Sequence, residues 1–178
     1  MVTFVLALAL LVALGVLIAF VVGYNRLRAA DIRVDEALGG IDVQLTRRAA
    51  LVPALVSTVS AVAQHEQAIV DRVTAARAAL ASATTGASVV QRSAAEQQLN
   101  IALAQLLELG AGHPQLNSSN NFLHLQRTLA DTEDKLAFAR QYYNDAVATL
   151  NRTLGTIPWM LVAGSAGVTE RDYYRSEP

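Results

Sequence analysis

Residues 1–23 contain no charged side chain, and that single stretch limits the fold more than anything else in the chain. Apart from Thr3, Gly15 and Gly23 it consists of Val, Leu, Ala, Ile, Phe and Met. As a helix the run spans roughly 35 Å, enough to cross a hydrocarbon core of ~30 Å. A cleaved signal peptide would need a basic leading region, a shorter apolar core and a small-x-small cleavage site. Nothing basic precedes the run, and it ends Val21-Val22-Gly23-Tyr24-Asn25. The expectation is therefore an uncleaved transmembrane helix over 1–23, with Tyr24 at the interface. Lys and Arg are absent before the run, whereas Arg26, Arg28 and Arg33 follow it. The positive-inside rule then predicts a single-pass protein of the cell inner (plasma) membrane, with the N-terminus outside and the rest cytoplasmic.

Beyond the anchor the composition excludes more than it selects. The chain carries 14 basic and 15 acidic residues, a balance that predicts no nucleic-acid partner. It has no cysteine, which removes disulfides, thiol nucleophiles and cysteine-ligated metals.

Apolar residues recur in steps of three and four at Val34, Leu38, Ile41, Leu45, Ala49, Val52, Leu55, Val59 and Val62, a helical stripe. Pro53 lies inside it, where the missing amide proton and the ring disturb the carbonyl of Ala49. The phase survives Pro53 and resumes at Ile69, Val73, Ala76 and Leu80. The spacing thus predicts one long kinked helix ending near Ala83-Thr84-Thr85-Gly86, with Gly39-Gly40 as a second weak point. Ser88 is placed to cap a second helix through Val89, Arg92, Ala95, Leu99, Leu103, Leu106 and Leu109. Gly110 to Pro114 stops it. Phe122, Leu125, Leu129, Thr132, Leu136, Ala139, Tyr143, Val147, Leu150 and Leu154 carry the last helix, a seam of mean spacing near 3.5. No strand pattern follows the anchor. The predicted class is all-α: an N-terminal transmembrane helix, then an antiparallel bundle of three to four long helices. The expected division is 1–23 transmembrane, 24–155 bundle, and 156–178 an apolar segment with a mobile polar tail from Thr169. The short apolar run Ile157 to Gly164 has three open roles: capping the bundle, lying on the membrane, or binding a partner.

No catalytic constellation is legible. His65, His113 and His124 are far apart, and His65-Glu66 lacks the second histidine of a metalloprotease helix because Ile69 stands there. No glycine-rich phosphate loop is present, and no cofactor or metal is expected. The acceptor triplets at Asn117 and Asn151 read as chance matches on a cytoplasmic domain. Glu133, Arg140 and Asn144 align beside the last seam at spacings of seven and four. With Glu66 they form a candidate polar layer, read first as a register-fixing structural device and second as a ligand site.

Several stretches recur in a known order. They are Tyr24-Asn25, Val34-Asp35-Glu36-Ala37, Ile41-Asp42-Val43-Gln44-Leu45, Arg47-Arg48, Leu51-Val52-Pro53, Leu55-Val56 and His65-Glu66. Further along stand Asn121-Phe122, Leu125-Gln126, Thr132-Glu133, Ala139-Arg140, Tyr143-Asn144, Asn151 and Ile157-Pro158. In these the chain, up to about Ala163, resembles the LemA family of bacterial membrane proteins. Gly39-Gly40 and Leu150 depart from its pattern. The resemblance implies an N-terminal anchor, a cytoplasmic helical bundle and no established catalytic activity; members include proteins of magnetosome membranes.

The expected function is a non-enzymatic, membrane-tethered scaffold or adaptor. A helix from Tyr24 to Ala83 would run about 90 Å, against about 35 Å and about 50 Å for the two helices available to cover it. An uncovered stripe at Val34, Leu38, Ile41 and Leu45 would then meet a second copy or another membrane protein. The alternative is a sensor module binding a small ligand at the polar layer. An enzyme of unknown type is a distant third.

Overall fold

A computed structural model describes residues 1–63 and 65–175. Helices and no strand make up the regular structure of the described residues: α1 Val2–Ser60, α2 Gln67–Thr84, α3 Val89–Ala111, the single turn α4 Pro114–Asn117, α5 Asn120–Leu154 and the short α6 Met160–Ala166. The expected all-α class is what the structure shows. By contacts the chain forms two compact units, Leu38–Tyr143 with the segment that begins at Asp172, and Met1–Ala37 with Asn144–Arg171. The sequence-based division followed membrane and composition, so it describes a different property.

In the larger unit the expected long helix is interrupted. α1 runs through Pro53 without a break but stops at Ser60, and the chain returns as α2. The apolar phase bridges this turn, which is why periodicity alone missed it. The turn brings α2 back along α1, where Val73, Ala76 and Leu80 of α2 are buried, as are Leu45, Val52 and Leu55 of α1. Arg77 of α2 donates its Nε–H to the carbonyl of Ala49 at 3.0 Å. That carbonyl is the one Pro53 leaves without an amide donor.

α3 starts with a full capping box, in which Ser88 Oγ accepts from Gln91 N and Ser88 N donates to Gln91 Oε1. It runs back along α2, linked by Arg72 Nη1 to Gln105 Oε1 at 2.6 Å. α5 lies antiparallel to α1, with Asn121 meeting Thr58 at one level and Glu133 meeting Arg48 at another. α3 and α5 approach closely at Gly110, where an added Cβ would stand 2.6 Å from Phe122 Cζ. The seam on α5 is buried as its spacing predicts, from Phe122 through Leu125, Leu129, Thr132 and Leu136 to Tyr143.

The smaller unit holds the apolar start of α1. Residues 2–22 are all exposed, and this part of the helix is long and apolar enough to cross a membrane. From Gly23 the helix becomes covered: Leu27, Val34 and Ala37 are buried, as are Val147, Leu150 and Leu154 of α5. The ring of Trp159 lies over Gly23, so that a Cβ there would be 2.7 Å from its Cε3. Arg26 stacks its guanidinium 5.6 Å from the same ring.

Two expectations are corrected. The stripe at Val34, Ile41 and Leu45 is not uncovered, because the chain's own helices bury all three and leave Leu38 half-buried. Shortening the rod at Ser60 removes the length mismatch that motivated the idea. Nor is the tail from Thr169 mobile throughout. The side-chain amide of Asn151 pairs with both the N–H and the carbonyl of Arg171, each at 3.0 Å, and Tyr174 is buried. The part of that tail from 176 to 178 lies outside the described residues.

Candidate functional site

A layer of charged side chains crosses the interior of the larger unit. Arg140 of α5 pairs with Glu133 on its own helix, at 3.0 Å, and with Glu96 of α3. Arg48 of α1 reaches Glu133 Oε2 at 2.6 Å, paired by charge rather than along an N–H axis. Glu96, only 1 % exposed, receives a second donor, the hydroxyl of Tyr174, at 2.5 Å from Oε2. The Tyr174 ring stands edge-on to Tyr143 with centroids 6.3 Å apart. The Tyr143 hydroxyl donates to the carbonyl of Asp172 at 2.9 Å, holding the segment that carries Tyr174. A further pair, Arg92 with Asp42 at 2.9 Å, ties α3 to α1.

Helical spacing explains why these residues meet. On α3, Glu96 follows Arg92 by one turn and precedes Leu99 by three residues, so both charges occupy core-facing slots. On α1, Arg48 lies three residues after Leu45 and four before Val52, again inside the stripe. Two arginines against two glutamates leave the central layer neutral, which lets it be buried. The energetics are not uniformly favourable. The buried Nε–H groups of Arg48, Arg92 and Arg140 have no acceptor among the described residues. Each such orphan costs ~1–3 kcal/mol, so the layer is better suited to fixing helix register than to adding stability.

Burial sets the protonation tendencies. It pushes the Arg48 guanidinium below its ordinary value, opposed by Glu133 and Glu96. Burial likewise raises Asp42, opposed by Arg92. The Tyr174 phenol lies far above the usual tyrosine value, first because it is buried and then because the Glu96 carboxylate faces it.

Of the predicted polar layer, the structure brings together Glu133 and Arg140. Asn144 is half-buried one turn further along α5. Glu66 is not part of it. That residue is exposed ahead of α2, where it lines a groove of about 470 Å³ with Ile69, Arg72, Gln105, Leu109 and His113. Its expected place depended on a helix continuing through residues 61–66, and the turn there carries it away. Arg48, Glu96, Asp42 and Tyr174 were missed as members. The signal available for the first two was a charged side chain in a slot that the apolar stripe reserves for the core.

Comparison with known proteins places the chain. A stretch of 77 residues is 29% identical to the magnetosome protein MamQ of Magnetospirillum gryphiswaldense, covering 43% of this chain and 28% of that protein. The magnetosome proteins MamQ 1 and MamQ 2 of Paramagnetospirillum magneticum match over the same length at the same identity. The chain thus spans under a third of the length of these curated relatives. The profile of the LemA family matches residues 37–178, which contain every charged residue of the buried layer. The chain belongs to the LemA family.

Proposed function

We propose that the chain is a non-enzymatic scaffold or adaptor, held in a membrane by α1, whose helical part binds a partner protein or further copies of itself. One observation carries this reading. On the outward face of α5, Phe138 is 72 % exposed and Tyr142, one turn on, is also exposed. Aromatic side chains are enriched at the centres of protein interfaces, where they bury large area at small entropic cost. The charged groups of the interior are committed to one another, which supports a structural rather than a reactive role for them. The arginines at 26, 28 and 33 support a cytoplasmic location for the bundle.

The test uses the absence of native cysteine. Phe138→Cys and Tyr142→Cys chains, crosslinked through the thiol in intact membranes, are expected to give adducts with a second copy or with one defined membrane protein. Joint replacement of Phe138 and Tyr142 by Ser should abolish association while leaving helicity and melting unchanged. Association that survives this replacement rejects the aromatic face.

The alternative, a sensor module binding a small ligand, is favoured by the groove beside Glu66. A defined small molecule protected from exchange by the intact chain, and released by Glu66→Ala without loss of fold, would establish it.

A further inference from the structure

The segment after α5 is unusually apolar for an exposed one. Residues 153–169 carry no charged side chain. One face of this segment is covered: Val162 and Ala166 are buried, and Trp159 is half-buried over Gly23. The other face is open, with Ile157 74 % and Leu161 75 % exposed and Met160 exposed between them.

The level of this open face along α1 is given by its contacts. Trp159 lies on Gly23, the last residue of the uncharged run, and an added Cβ at Gly23 would also be 3.5 Å from Val162 Cγ2. Arg26, one turn on, stacks on Trp159, and the first acidic residue of the chain is Asp31. The uncharged run is about as long as a bilayer core is thick, so Gly23 falls where hydrocarbon gives way to headgroups. Trp and Arg are the side chains that favour that zone, the first for its amphipathic ring and the second for its reach to phosphate.

We propose that Ile157, Met160 and Leu161 enter the interfacial layer of the same bilayer that α1 crosses, making residues 157–161 a second, monotopic membrane contact. The occupant is lipid because the covered side of this segment, Trp159 and Val162, packs on Gly23 where the exposed apolar run of α1 ends, which sets the open apolar face at the same level. Partly inserted short elements of this kind gain affinity from a few apolar side chains once a first anchor has removed the cost of reaching the membrane. The inference rests on α1 residing in a bilayer.

The experiment keeps the two questions apart. The full chain is reconstituted in phosphatidylcholine–phosphatidylglycerol vesicles, with and without lipids brominated on the acyl chains. Trp159 is the sole tryptophan and reports without substitution. Single-cysteine chains Val12→Cys, Ile157→Cys, Leu161→Cys and Ser88→Cys carry an environment-sensitive fluorophore. Brominated lipid should quench Trp159 and the labels at 12, 157 and 161, while aqueous iodide should quench only the label at 88. If the label at 12 is lipid-quenched but those at 157 and 161 respond to iodide, the second contact is refuted and the anchor stands. If 157 and 161 respond to neither quencher, protein covers them and the lipid assignment is refuted. If the label at 12 is itself aqueous, the anchor fails and the inference fails with it.

Discussion

The carbonyl of Ala49, deprived of its helical donor by Pro53, accepts a hydrogen bond from Arg77 on the neighbouring helix. A proline inside a long helix is thereby turned into a cross-link: the defect in α1 creates an acceptor, and α2 supplies the donor. A double-mutant cycle should expose this dependence. Arg77→Met is expected to cost ~1 kcal/mol in the native background, as for a hydrogen bond with its acceptor left behind. In a Pro53→Ala background, where residue 53 regains its own N–H, the same change should cost much less. Equal costs in the two backgrounds, measured by chemical denaturation, would sever the link between Pro53 and Arg77.

Arg140 offers a comparison between shape and charge. Arg140→Met removes the charge but keeps most of the volume, whereas Arg140→Ala also opens a gap beside Glu96 and Glu133. Breaking a buried pair by deleting one partner costs ~3–5 kcal/mol. The alanine variant should melt lowest, the methionine variant between it and the parent. Arg140→Met paired with Glu96→Gln should recover part of the loss, since no buried carboxylate then remains at position 96.

Tyr174 should make the protein sensitive to alkali. Its phenol holds its proton more tightly folded than unfolded, where the ordinary value is 10.0. The contribution is therefore complete below pH ~10 and is lost as pH rises toward the folded value. Melting temperature should fall steeply above that pH. Tyr174→Phe should be less stable at neutral pH, because Glu96 loses a donor, and should show a flatter alkaline limb. An identical alkaline limb in both proteins would show that another group controls the transition.

Ile41 is fully buried. Ile41→Glu is accordingly expected to unfold the bundle, with loss of far-ultraviolet helicity, rather than to disrupt association alone. A folded Ile41→Glu protein would contradict the packing of α1 described above.

Orientation is open to a fusion test. A reporter active only outside the cytoplasm, joined to the C-terminal end, should be silent, and neutral replacements at Arg26, Arg28 and Arg33 should raise its activity. Strong activity in the parent fusion would reverse the proposed topology.

The sequence made the buried faces legible and the chain's path less so. Residues 122–154 repeat their apolar positions almost without fault, and α5 buries nearly all of them. Ser88 was recognisable as a cap because a hydroxyl before a helical stripe has few other uses. The turn after Ser60 was hidden because residues 61–66 contain neither Gly nor Pro and the apolar phase, though His65 or Glu66 fills one slot, is taken up again in step at Ile69. That one error displaced Glu66 into the polar layer and left the early stripe of α1 seemingly uncovered. Arg48 and Glu96 were invisible for a different reason. A charge in an apolar stripe announces burial only once its partner is known, and both partners lie on other helices.

The hydrogen bond from Tyr174 to Glu96 joins residues 78 apart in sequence. Arg140 and Glu96 stand on helices that precede Tyr174 in the chain, so without the segment after Asp172 the Glu96 carboxylate keeps its arginine and loses its second donor. The packing of the larger unit therefore depends on a segment that lies outside its helices. A chain cut between Asp172 and Tyr174 would carry every helix of the bundle, yet its buried carboxylate would have one donor fewer.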